Sequence, residues 1–281
     1  MQPKTNKTFL KNIICIFVLL FCADFMYSLS EETQNHIDEF MTLRMKLSTF
    51  ETRDEAAAKI KEFEKAYVSK TRETYGEIEA QILENFIVME LFNVYYDNPP
   101  MSKTEFRKML SDQKAKNESF INAHKNEKLN VWFWVTSGDV FSCWTTFSVK
   151  DILFYGMEIK NYYLSAYEDN PKCSYLLTNL AQWYFQAPKI GGGSNSKARS
   201  YFEEARNCAK NDAEKYFADI FLSQFLFEQK KFDRAAELLE EAGNLNPGSK
   251  YITLIKDQNK AGRSLYQYNR KRSAVYNQDT E

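Results

Sequence analysis

"YFADIFLSQFLFEQKKFDRAAELLEEAGNLNPGS", residues 216–249, reads as two helices and a stop. Leu222, Ser223 and Leu226 fall on one face of the first helix, and Ala235, Leu239 and Ala242 on one face of the second. Pro247, followed by Gly248, closes the unit because proline cannot continue a helix. Two amphipathic helices joined by a short connection bury their stripes most directly by folding back on each other as an antiparallel hairpin.

The same pattern lies immediately upstream. Residues 174–215 carry Leu180, Ala181 and Tyr184, then Ala198, Phe202 and Ala205. Their second-helix positions precede their counterparts by 37 residues, whereas the first-helix positions precede theirs by 42. Five extra residues therefore sit between the helices, where "APKIGGGSNSKA" (187–198) occurs. A phosphate loop would need a lysine directly after glycine, a hydroxyl residue after the lysine, and a strand before the loop. Here Lys197 follows Ser196, Ala198 takes the hydroxyl position, and "LLTNLAQWYFQ" reads as a helix. The stretch is expected to be an enlarged turn, with Pro188 ending one helix and Ser194, Asn195 or Ser196 capping the next. Residues 131–173 form a more degenerate unit, with Trp134, Gly138 and Phe141 on its first helix and Tyr163, Ala166 and Pro171 closing its second.

These units resemble the tetratricopeptide repeat, which has a large apolar residue followed by a small one on its first helix, alanine and an aromatic or leucine on its second, and proline near the end. The resemblance covers residues 131–173, 174–215 and 216–249, under half of the chain. It implies an all-α fold of antiparallel helical hairpins stacked as a right-handed superhelix, with the first helix of each pair on a concave wall. On that resemblance the wall carries Trp132 and Asp139 from the first unit, Tyr175, Gln182 and Gln186 from the second, and Phe217, Gln224 and Glu228 from the third. Such a wall suits a peptide, a protein edge or a small organic ligand. The alternative is that Trp132, Tyr175 and Phe217 are ordinary packing between repeats.

Composition agrees with long helices: glycine (9) and proline (6) are few. The first helix is expected from about Thr33 to Leu47, a second over 53–70, a third from Gly76 to the prolines at 99 and 100, and a fourth after the Ser102 and Glu105 capping pair. Residues 31–130 are read as two further hairpins, 250–269 as a single capping helix and 270–281 as a polar tail. The N-terminus has Lys4, Lys7 and Lys11 ahead of the apolar run Ile13–Phe21, the pattern of an export signal with cleavage after Ser30. Cys22, with Leu19 three residues before it, offers a second processing route as a lipidation site, although Phe21 is large for the position before a lipidated cysteine. An exported location, periplasmic or otherwise in the cell envelope, follows from either route.

Catalytic patterns are not found. Only His36 and His124 are present, and Cys143, Cys173 and Cys208 have neither redox nor zinc spacing. The expectation is a non-enzymatic binding protein with no cofactor and no metal site. The 37 basic and 38 acidic residues give no field for nucleic acid. Export, the repeats and the "AP-x-x-GG" turn before "KA…YFEEA" are together similar to the T-component family of bacterial TRAP transporters. That second resemblance implies an accessory partner of a periplasmic solute-binding protein, handing small organic ligands to a permease. A general envelope scaffold that docks protein partners during assembly is the alternative.

Overall fold

The computed structural model describes residues 29–96 and 100–278, with side chains up to 271. Residues 1–28 of the expected export segment, Cys22 among them, and residues 279–281 lie outside the described residues, as do the side chains of most of the expected polar tail. Among the described residues there are twelve α-helices and no strand. They are α1 (Glu31–Lys46), α2 (Arg53–Tyr75), α3 (Glu77–Tyr95), α4 (Lys103–Ala123), α5 (Val131–Thr145), α6 (Val149–Asp169), α7 (Ser174–Gln186), α8 (Asn195–Cys208), α9 (Asp212–Glu228), α10 (Phe232–Leu245), α11 (Lys250–Lys260) and α12 (Leu265–Gln278). None of them is long and apolar enough to cross a membrane.

Local chemistry sets the helix boundaries. Thr52 with Glu55 and Ser102 with Glu105 form reciprocal capping boxes at the starts of α2 and α4. Asn130, Ser148, Ser194 and Asn211 each accept a backbone N–H in the first turn of the helix that follows. Gly76 ends α2 and opens α3 at φ 96°, a conformation that only glycine adopts without strain. The hairpins α2–α3, α5–α6, α7–α8 and α9–α10 are the most extensive helix pairings, an all-α arrangement consistent with a helical-repeat fold.

Three hairpins occupy the intervals 131–173, 174–215 and 216–249, apart from α9, which begins at Asp212. Where α5 meets α6, a Cβ on Gly138 would lie 2.7 Å from Cε1 of Tyr163, so the small residue sets the closeness of the two helices. Where α8, α9 and α10 meet, Asp219 is fully buried and receives Arg206 and Lys215, which both also reach Glu241. Upstream, the buried Asn85 of α3 donates to Thr136 of α5 (3.0 Å), while its carbonyl accepts from Gln113 and Asn117 of α4 (both 2.8 Å). These polar ties are fully paired and therefore fix the relative register of helices that apolar contacts alone would leave loose.

The enlarged turn is built as its residues suggest. α7 ends at Gln186, Pro188 follows, Gly192 takes φ 92°, and the Ser194 hydroxyl accepts from the Lys197 N–H. A Cβ at Gly193 would stand 1.8 Å from the Ala187 carbonyl oxygen, so this position admits only glycine.

The C-terminal cap differs from the single helix expected over 250–269. It is two helices, α11 and α12, separated at Gly262 with φ 74°, and α12 continues through the segment read as a tail. The break lets α12 turn back onto α7 and α9, where Tyr266 packs 4.9 Å from Phe185 and its hydroxyl donates to the Phe221 carbonyl.

Candidate functional site

The expected binding wall exists as a set of neighbouring side chains, but the chain itself covers it. α1 carries Ile37, Phe40, Met41 and Met45 on one face, all buried. Phe40 sits between Phe63 (4.9 Å) and Phe86 (5.4 Å). Burial of each such side chain contributes roughly 1.5–3 kcal/mol, so α1 is an integral part of the core. It packs against α2, α3 and α9 and thus joins the first hairpin to the last.

Both ends of α1 are fastened. At its start the Ser30 N–H and hydroxyl donate to the Glu79 carboxylate (3.0 and 2.6 Å), and the same hydroxyl accepts from Thr33. At its end Asn246 donates to the Met45 carbonyl (2.6 Å) and accepts from Lys46 (2.9 Å). Ser48 then meets Ser249, and Lys250 donates to the Phe50 carbonyl. Ser30, the residue before the expected cleavage point, is therefore the helix cap of the folded domain.

Under α1 the wall residues are already engaged. Trp132 and Tyr175 each have 6 % of their surface exposed, and their rings lie 5.8 Å apart. The Trp132 indole N–H donates to Gln34 of α1 (3.0 Å). The Arg44 guanidinium stands 4.3 Å from the centre of the Phe217 ring and 5.3 Å from that of Tyr175, and it pairs with the buried Glu90. Asp139, also buried, accepts from Tyr175 (2.6 Å), Tyr163 (2.8 Å) and Asn179 (3.0 Å). Burial pushes the Asp139 carboxyl up to about 6, against the opposing pull of the two tyrosine hydroxyls and Arg44. Burial lowers the proton affinity of Arg44, but Glu90, Tyr175 and Asp139 outweigh it and hold the guanidinium charged.

The lower part of the wall is covered by α12. Gln224, fully buried, accepts the Leu265 N–H through its side-chain oxygen (2.8 Å), and Glu228 accepts from Ser264. Gln224 thus holds the first backbone N–H of α12, and Glu228, half-buried, holds Ser264, whose hydroxyl accepts the Gln267 N–H. Gln186 is exposed at the end of α7.

What remains between the two covers is a cavity of about 30 Å³ lined by Met41, Arg44, Tyr175, Asn179, Gln182 and Phe217, among others. That volume admits about one water and falls far below the roughly 300–1,000 Å³ of small-molecule sites. Tyr175, Gln182 and Phe217 do converge, but on a space too small for a peptide or an organic ligand, with Gln182 and Phe217 half-buried at its edge. A larger concavity of about 520 Å³ lies elsewhere, as a shallow groove between α3 and α4 lined by Glu77, Gln81, Asp112, Lys116 and Phe120. It contains none of the expected residues.

Sequence reasoning missed Arg44 and Glu90. A signal for Arg44 was present, since Ile37, Phe40, Met41, Arg44 and Met45 share one stripe, and an arginine inside an apolar stripe needs a buried anion. Among the described residues no group of histidine, cysteine, aspartate and glutamate is arranged to hold a metal ion. No protein-family model matches the chain, and comparison with curated proteins finds no significant match.

Proposed function

We propose that the protein is a non-enzymatic helical-repeat scaffold of the cell envelope that docks a protein partner on its outer surface. The observation that carries this reading is the cover over its inner wall: α1 engages Trp132 and Phe217, and α12 engages Gln224, residues that would otherwise meet a ligand. A scaffold whose interior is filled by its own helices presents rigid outer elements to a partner. The turn between α7 and α8 is one of them, because it carries Ile190 fully exposed beside Lys189. Loops held at the edge of a rigid stack are where recognition residues concentrate.

The first candidate partner is the solute-binding protein of a TRAP-type transporter, a reading supported by the "AP-x-x-GG" turn and the "KA…YFEEA" helix after it. In that role the protein docks the binding protein and does not carry the ligand through its own wall. The alternative partner is an envelope assembly factor. Affinity capture of the tagged protein from cross-linked envelopes of its own cell, compared with the Ile190→Asp variant, separates these readings. A solute-binding protein or permease subunit that dominates the capture and falls at least threefold in the variant supports the transport role. Dominance of assembly factors supports the general scaffold. No protein enriched over an untagged control overturns docking altogether.

A further inference from the structure

We propose that the exposed first turns of α6 form a two-fold contact with a second copy of this chain, a surface separate from the one on which the docking reading rests. α6 buries Ile159, Tyr163 and Ala166, all from its midpoint onward. Its beginning exposes Val149, Ile152, Leu153, Phe154 and Met157, with Leu153 at 72 % and Phe154 at 79 % exposure. Five such side chains within about two turns make an apolar patch on the order of 500 Å² per copy. Two copies face to face would bury about 1,000 Å², the lower end of a specific interface, and the dimer proposed is a weak one, of about micromolar affinity.

The charges on the patch select a second copy over other occupants. Lys150, Phe154 and Glu158 follow one another at i, i+4 and i+8, one ridge of the helix. In an antiparallel pair centred on Phe154, Lys150 of each copy comes opposite Glu158 of the other, so the ridge is complementary to itself. Nearby charges are already engaged. Asp151 accepts from Arg107 at 2.6 Å, and Lys160 stands 4.7 and 5.1 Å from the centres of the Trp183 and Tyr184 rings. Lys150 and Glu158 are both exposed, and neither makes an ion pair or hydrogen bond among the described residues. The helix is also rigidly seated, since the Trp183 indole N–H donates to the Gly156 carbonyl (2.8 Å). A preformed helix loses little freedom on pairing.

The test is sedimentation equilibrium of the protein as its own cell processes it, from about 1 to 100 μM at low salt, a range that brackets a micromolar dimer. The wild type should dimerise. K150E and E158K should each weaken the dimer at least tenfold, because each replaces two attractions by two repulsions, and the double variant K150E/E158K should recover it to within about threefold. L153D should abolish it, with an unchanged circular dichroism spectrum showing that the helices persist. A monomeric wild type over the whole range overturns the proposal, as does a double variant no tighter than the singles. Flotation with vesicles of phosphatidylcholine and phosphatidylglycerol is run alongside: binding that L153D removes while the wild type stays monomeric assigns the patch to a lipid surface and overturns it too.

Discussion

Replacing Asp139 by asparagine should stabilise the protein near neutral pH, and the gain should vanish in acid. Asp139 is buried, and its environment raises its carboxyl from the ordinary 3.8 to about 6. The groups facing it are Tyr163 of α6, Tyr175 and Asn179 of α7, Cys143 of α5 itself, Arg44 of α1, and Glu90 of α3 beyond Arg44. A raised carboxyl binds its proton more tightly in the folded than in the unfolded chain. Its contribution to stability is therefore fully present below about 3.8 and is lost as pH rises through about 6. A separation of about two units corresponds to ~3 kcal/mol between those limits. Asparagine keeps the shape, an acceptor oxygen and no charge, so it should not titrate. Urea unfolding of wild type and Asp139→Asn at steps from pH 3.5 to 7.5, read as the difference between the two at each pH, cancels the titrations that the two proteins share. The difference should move by ~3 kcal/mol in favour of the variant as pH rises, with its midpoint between about 4 and 6. A flat difference, or one that moves against the variant as pH rises, would refute the reasoning.

Arg44→Ala should destabilise by about 3–5 kcal/mol in urea unfolding, because it leaves Glu90 buried without its cation; the pair Arg44→Met and Glu90→Leu should recover most of that loss. Gly138→Val should lower the melting temperature with a cost of about 1–3 kcal/mol, since its side chain must displace the Tyr163 ring. Gln224→Ala removes the acceptor for the Leu265 N–H, so hydrogen exchange should quicken in the first turns of α12 and stay unchanged in α1.

The helices were legible in the amino-acid pattern alone. Stripes at helical spacing, the Ser102 and Glu105 pair, and Pro188 and Pro247 are local features, and helix formation answers to neighbours within one turn. The hairpins were legible for the same reason, because short connections leave adjacent helices little choice of partner. The break at Gly262 was written in the sequence too, but isolated glycine within a helical pattern does not announce whether the helix ends there. What covers the wall was not legible in this way and emerged from the folded chain. Trp132, Tyr175 and Phe217 have the spacing of groove residues whether the groove is open or filled, and the helices that fill it come from the two ends of the described chain. Asn246 holding the Met45 carbonyl, some 200 residues away in sequence, is a contact that no local pattern encodes. Periodicity records which face of a helix is apolar; which distant surface meets that face depends on the path of every intervening hairpin.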